Sequence, residues 1–251
     1  MQKLDLCDVV QVTRTDRLGI SCLCRGRDIP GQGKNIALLA AEKFQQANNM
    51  AGGIAIGLEK NIPVASGLGG GSSDAAAVLL ALNRLCGAPL SDDELFQMGL
   101  SLGADVPFFL LPASAAWAEG VGEQLTPSPS VAGYHFLLVN PGFHLSTRWV
   151  YENFQLTSEV MKGKKSNFPD CVDDIPLVND LAAVTMGRYP ELAFLEQEMY
   201  ACGARSVLMS GSGPTMFALF PAAKEESCAS GFATFTQRYG VENVFMCQAL
   251  A

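Results

Sequence analysis

Histidine and tryptophan are scarce in this chain of 251 residues, at two each, and that scarcity excludes several chemistries at once. His135 and His144 carry no local catalytic signature and read as structural, so no Ser-His-Asp or Cys-His arrangement can be built. The eight cysteines (Cys7, Cys22, Cys24, Cys86, Cys171, Cys202, Cys228 and Cys247) form no CxxC pair and sit among apolar neighbours, as reduced core thiols do. Positive charge is short as well. Lys+Arg 17 against Asp+Glu 25 leaves a net charge of −8, which lacks the footprint of a chain that neutralises a nucleic-acid backbone. No nucleic-acid partner is expected. No apolar run reaches the roughly 18 residues of a membrane span, since Val106 to Ala118 is broken by Pro107 and Pro112, so no membrane partner is expected either. The opening Met1 to Asp5 has neither an apolar signal core nor a transit composition, and a cytoplasmic location follows as the expectation. With 49% hydrophobic and 17% charged residues the chain is too apolar for global disorder.

Alternation of Val10 and Val12, then of Ile20 and Cys22, around Thr15-Asp16-Arg17 predicts a β-pair over Asp8–Thr13 and Leu18–Cys24. Ile36, Leu39, Ala40 and Phe44 recur at helical spacing within Asn35–Asn48, and Ile54, Ile56 and Leu58 mark a strand up to Lys60. A glycine loop follows, then a buried helix over Ala75–Leu85. Ser91 with Glu94 is a capping box that opens a helix over Asp92–Leu102, stopped by Gly103. Beyond a boundary near Ser130–Ala132 the rhythm becomes strand His135–Val139, helix Thr147–Phe154, helix Asn179–Met186, helix Pro190–Cys202, strands Ser206–Ser210 and Thr215–Phe220, helix Lys224–Tyr239 and strand Asn243–Cys247. Apart from the extra helix, this is the β-α-β-β-α-β order of ferredoxin-like halves. The polar segment Lys162–Ile175 reads as a surface loop. The class is α+β, with domains expected over 1–131 and 132–251.

The stretch Pro63-Val64-Ala65-Ser66-Gly67-Leu68-Gly69-Gly70-Gly71-Ser72-Ser73-Asp74 joins a strand to a buried helix and holds four glycines. Glycines permit positive φ and let several N–H groups converge, and the free amides of a helix start favour an anion. Phosphate is the natural guest, although the Lys of a Walker A loop is absent. A second loop, Ser210-Gly211-Ser212-Gly213-Pro214-Thr215, suits close backbone approach to a ligand. Asp105, amid the small and apolar residues of GADVPFF, has the surroundings of a general base or of a simple turn-capping residue.

Taken in order, PVASGLGGGSSDAAAVLLALN, GADVPFF and SGSGPT resemble the GHMP family of small-molecule kinases. The likeness extends to Gly33-Lys34-Asn35-Ile36, Ala118-Glu119-Gly120-Val121-Gly122-Glu123, Pro141-Gly142 through Ser146-Thr147 to Val150-Tyr151, and Asn179-Asp180-Leu181. The resemblance implies a two-domain fold with a ferredoxin-like second half. It implies ATP, accompanied by Mg²⁺, bound along Pro63 to Ser73 with its phosphates on Gly67 to Ser73, Asn35 and Lys60 toward the adenine, and Asp105 as the base. The GADVPFF and PG…ST..VY stretches narrow the likeness to a member that phosphorylates a hydroxyl of a cytidine diphosphate substrate in non-mevalonate isoprenoid synthesis. Thr147 would then touch the diphosphate, Tyr151 would stack on the cytosine, and Gly211 and Ser212 would close on the substrate. The metal ligands are not set by the sequence. Kinases of the family for homoserine, mevalonate or sugars, and a non-catalytic nucleotide-binding remnant, stay open as alternatives.

Family members begin with a segment of the type PAKINLxLxVxxKRxDGYHxL, which carries a Lys for the base and residues for the cytosine, whereas this chain opens at MQKLDLCD. The first domain is therefore expected to be truncated, with Met1 an internal start, and the chain as it stands to transfer phosphate poorly.

Overall fold

The computed structural model describes residues 1–27, 35–120, 122–154 and 178–251. Gly33, Lys34, Val121, Cys171 and the Lys162–Ile175 loop lie outside them. Two compact units are present. The first holds Met1, Leu6–Val64 and Gly69–Ser128; the second holds Gln2–Asp5, Ala65–Leu68 and Pro129–Ala251.

In the first unit β1 (Val9–Thr15), β2 (Gly19–Gly26) and β3 (Gly53–Lys60) form a sheet in the order β1-β3-β2. The expected β-pair is corrected here: β1 and β2 do not pair with each other, because β3 lies between them, antiparallel to β1 and parallel to β2. Gly53 shows why the third strand fits. A Cβ on Gly53 would collide with the carbonyl oxygens of Arg17 and Gly19 at the turn between β1 and β2, so only a residue without a side chain can enter that fork. Ile54, Ile56 and Leu58 then meet Ala37, Ala40, Ala41 and Phe44 of α1 (Ile36–Ala47) and Ala75, Val78, Leu79 and Leu82 of α2 (Gly70–Leu85), all of them buried. Burying one such aliphatic side chain is worth about 1.5–3 kcal/mol, and this cluster holds the sheet to both helices.

The helix α3 (Asp92–Leu100) starts with the capping box as read: the Ser91 hydroxyl accepts from the Glu94 amide, and the Glu94 carboxylate accepts from the Ser91 amide. A short helix α4 (Val106–Leu110) follows where no helix was expected, Pro107 sitting where a helix start tolerates it. The strands β4 (Ala116–Glu119) and β5 (Gln124–Pro127) form a separate hairpin.

The second unit is built on β6 (Tyr134–Val139), β7 (Ser206–Met209), β8 (Met216–Pro221) and β9 (Val244–Gln248), ordered β7-β8-β6-β9 with every pair antiparallel. With α5 (Thr147–Asn153), α6 (Leu181–Arg188), α7 (Glu191–Ala201) and α8 (Glu225–Tyr239) this is the ferredoxin-like arrangement with two added helices, since three and not one stand between β6 and β7. Leu137, Val139, Leu192, Leu195, Met199, Phe220 and Phe235 fill its core. The thiols are less uniform than expected. Cys228 and Cys247 are buried, Cys22, Cys24, Cys86 and Cys202 are half-buried, and Cys7 is exposed; all seven are free. Among the described residues no helix is long and apolar enough to cross a membrane.

Candidate active site

The glycine stretch resolves into a loop and a helix start. Gly70, Gly71, Ser72 and Ser73 are already helical, so α2 begins earlier than the apolar pattern suggests, and Gly69 caps it with φ +69°. The Ser73 amide bonds back to the Gly69 carbonyl at 2.9 Å. The amides of Gly70, Gly71 and Ser72 have no intrahelical acceptor, as in the first turn of any α-helix, and offer the donors and positive dipole end that an anion needs. Neighbouring groups leave no room for side chains at this turn. A Cβ on Gly69 would stand 3.0 Å from the Phe109 ring, and one on Gly70 would stand 3.0 Å from Ile62.

The GADVPFF segment packs beside this turn. Besides Phe109 against Gly69, Ile36 of α1 faces both Gly71 and Gly103, at 3.4 and 3.7 Å from the Cβ positions of the two glycines. Asp105 sits at the head of α4 and makes no capping bond with its side chain. The carboxylate is therefore not committed to the turn. Solvent reaches it, yet crowding by surrounding protein raises its pKa above the ordinary carboxylate value. Its Oδ1 lies 4.0 Å from the Cβ position of Gly122, in the turn between β4 and β5.

Lys60 and Asn35 are both buried and both engaged by protein groups. The Lys60 ammonium donates to Asp8 and, at 2.7 Å, to Asp74, with all three side chains at most 4% exposed. Asn35 caps α1, its Oδ1 accepting from the Ala37 amide at 2.9 Å, and its Nδ2 points at the sulfurs of Cys22 and Cys24. Burial pushes the Asp74 carboxyl up to about 6, with the nearby Asp8 charge adding to the rise and Lys60 opposing it. Asp8 was not singled out from sequence, where its place directly before a strand was the available signal; Asp74 was read as an acid of the first helical turn, and it is the fifth residue of α2.

In the second unit the tip of the glycine loop meets the Ser210–Thr215 loop. The Ser210 hydroxyl donates to the Gly67 carbonyl at 2.9 Å, and the Thr215 amide donates to the Ser66 carbonyl at 3.2 Å. Gly67 has φ +81°, and any Cβ there would collide with the Ser210 carbonyl oxygen. Of the remaining loop residues, Pro63 is buried, Val64 and Leu68 are half-buried, and Ala65 is exposed with φ +53°. The second loop is itself held from outside: Asn179 Nδ2 donates to the carbonyls of Met209 and Gly211 at 2.7 and 2.8 Å, and Asn140 Nδ2 donates to the Thr215 hydroxyl at 3.1 Å.

Thr147, at the start of α5, shares a hydrogen bond of 2.9 Å with the Ser212 hydroxyl, so two residues expected on the substrate side stand together. Tyr151, one turn further along α5, is 62% exposed and presents an aromatic face that the described residues do not cover. His135 is buried in β6 with Nδ1 unpartnered, and His144 lines a cavity of about 270 Å³ with Trp149, Arg188 and Tyr189. Neither histidine joins the residues described above.

The glycine-headed helix and uncommitted carboxylate of the first unit, and the serine-glycine loop of the second, each have counterparts in known proteins. The model of the N-terminal domain of GHMP kinases matches residues 35–112, and that of the GHMP kinase C-terminal region matches residues 173–235. The chain belongs to the GHMP kinase family. A curated 4-diphosphocytidyl-2-C-methyl-D-erythritol kinase from Geobacter sulfurreducens is 45% identical over 91% of this chain and 81% of its own length. The enzyme of that name from Pelobacter propionicus is 46% identical over 88% of this chain and 79% of its own length. A crystal structure of 4-(cytidine 5'-diphospho)-2C-methyl-D-erythritol kinase superposes with a TM-score of 0.77 at 31% identity, covering 99% of this chain and 88% of that one. The homoserine kinase of Cytophaga hutchinsonii, with a TM-score of 0.67 at 17% identity over 100% of this chain and 88% of its own, shares the fold.

Proposed function

We propose that the protein transfers the γ-phosphoryl group of ATP to a hydroxyl of 4-diphosphocytidyl-2-C-methyl-D-erythritol, giving the 2-phosphate for non-mevalonate isoprenoid synthesis. The observation that carries this reading is the identity of 45% to a curated kinase of that name across most of both chains. The family alone is compatible with homoserine or mevalonate as acceptor; the exposed Tyr151 one turn from Thr147 favours a substrate with a planar base and a diphosphate.

In this mechanism the amides of Gly70, Gly71 and Ser72 take the negative charge of the nucleotide phosphates, helped by the dipole of α2. Asp105 accepts the proton of the acceptor hydroxyl as its oxygen bonds to the γ-phosphorus; the bond from that phosphorus to the β,γ-bridging oxygen breaks, and ADP leaves. A raised pKa suits Asp105 to this role, because a stronger base takes the proton more readily. Thr147 and Ser212 would receive the substrate diphosphate through their paired hydroxyls.

Among the described residues no cluster of three or more histidine, cysteine or acidic side chains could hold a metal ion by itself, which suits a metal carried by the nucleotide. Ser73, whose hydroxyl donates to the Gly70 carbonyl at 2.8 Å and keeps its lone pairs free, fits such an ion. Mg²⁺ bound there would neutralise charge on the β- and γ-phosphates.

The test is a turnover assay with ATP and the cytidine substrate, read by mass spectrometry for gain of one phosphoryl group, beside parallel assays with homoserine and mevalonate. Phosphorylation of the cytidine substrate alone is the expected result, at a low rate for the chain as it stands, because the Lys of the family's opening segment is not part of it. Transfer to either other acceptor in its place would overturn the assignment.

A further inference from the structure

Asp8 lies outside every residue set considered so far for ligand contact, yet it holds both ends of the glycine loop. At the near end its Oδ1 accepts from the amides of Asn61 and Ile62, at 2.6 and 2.9 Å, where the chain leaves β3. At the far end its Oδ2 lies 3.5 Å from the Cβ position of Gly70, the first residue of α2. The same oxygen accepts from Lys60, whose ammonium also binds Asp74, the fifth residue of that helix. Ile62 packs on Gly70 directly. A strand end and a helix start are thus fastened through one buried cation between two buried carboxylates, and the chain between them is closed at its base. Unlike exposed ion pairs, which are worth little, these charges are shielded from solvent and bound with short, charge-assisted hydrogen bonds.

The fastening is also lopsided. Two carboxylates share one ammonium, and Asp74 Oδ1 is buried with no hydrogen-bond partner. A core built for stability alone would satisfy that oxygen or dispense with the charges, since hydrophobic replacement of a buried ion group is often neutral or favourable. Retaining the arrangement at the one place where a loop must hold unpaired amides at fixed positions points to a positioning role.

We propose that Asp8, acting through Lys60 and Asp74, is a positioning residue for nucleotide binding: it fixes the glycine loop and the head of α2 so that their amides converge on phosphate oxygens. The proposal rests on the reading of this loop as a phosphate cradle. It also gives Lys60 a different task from contact with adenine, because its ammonium is already engaged by two carboxylates.

The experiment titrates the whole chain with ATP, ADP and adenosine, comparing the unaltered protein with Asp8→Asn and Asp74→Asn. Asparagine at position 8 keeps an acceptor for Asn61 and Ile62 but turns a donor toward Lys60, so it breaks the ion pair and spares the turn. The expected result is a loss of about tenfold in affinity for ATP and ADP, the order of one strong hydrogen bond, with adenosine unchanged within about twofold. An equal loss for all three ligands, or no loss, overturns the positioning role while leaving the phosphate cradle standing. Failure of the unaltered protein to prefer ATP over adenosine overturns the cradle and this proposal together. Where Asp8→Asn does not fold, amide hydrogen exchange on Asp74→Asn decides. Faster exchange confined to the bonded amides of Asn61, Ile62 and Ser73 supports the role, and an even rise across α1, α2 and α3 overturns it.

Discussion

Lys60 and Asp74 meet at 2.7 Å with less than a twentieth of either side chain exposed, and the carboxylate brings a second, unpartnered oxygen into the same buried space. Folding therefore raises the Asp74 pKa to about 6. Between the ordinary carboxylate value and that figure the folded chain holds a proton that the unfolded chain has released. The stability tied to this group is complete below the unfolded pKa and is lost as pH rises through the folded one. Asp8, Lys60 and Cys22 are the titratable groups acting on it or facing it. Asp74→Asn cannot titrate, so its thermal midpoint should gain on that of the unaltered protein between about pH 4.5 and pH 7.5. A midpoint difference that stays constant across that range would rule out the titration.

Asp105→Asn should lower kcat by about 10²- to 10⁴-fold, the usual contribution of a positioned acid or base, and leave ATP affinity within about twofold. In the unaltered enzyme, kcat should fall on acidification at a pH above the ordinary carboxylate range, since crowding by surrounding protein raises this group. A variant retaining most of its rate would remove Asp105 from the chemistry.

The Thr147–Ser212 hydrogen bond can be weighed by a double-mutant cycle with Thr147→Val and Ser212→Ala. A coupling of about 0.5–1.5 kcal/mol in chemical denaturation is expected for a pair of neutral hydroxyls. Additive effects would show that the bond adds nothing to folding.

Tyr151→Ala should leave stability within about 0.5 kcal/mol, because the ring is largely exposed, while weakening binding of the cytidine substrate by about tenfold. Equilibrium titration with the cytidine substrate provides the check. Unchanged affinity would move the base-binding surface elsewhere.

Gly53→Ala should destabilise the first unit by more than about 2 kcal/mol, through collision with two backbone carbonyls that cannot move without unpairing β1 or β2. Thermal unfolding of the variant checks this. A midpoint close to that of the unaltered protein would mean that the fork opens freely.

Features with local causes were legible in the sequence. The Ser91–Glu94 capping box, the strand through Ile54, Ile56 and Leu58, and the strand and helix order of the second unit all follow from neighbours a few residues apart. The glycine loop was legible as a break between a strand and a buried helix, though not the point where helix begins, because helix propensity disfavours glycines that a packed turn here admits. Pairing was not legible. Nothing near Thr15 or Gly19 announces that a strand beginning at Gly53 will lie between them. The five-residue helix α4 is too short to show a period. The ion cluster of Asp8, Lys60 and Asp74 joins residues 52 and 14 positions apart, and no spacing rule connects them.

The central place of β3 constrains the order of assembly. The first two strands cannot complete their sheet as a hairpin, since the partner that each requires is made later, after the whole of α1. A nascent chain must keep both strands waiting with unpaired edges until the segment through Lys60 has left the ribosome. Synthesis stalled before that point would leave a species inclined to self-associate, and prompt passage through α1 guards against it.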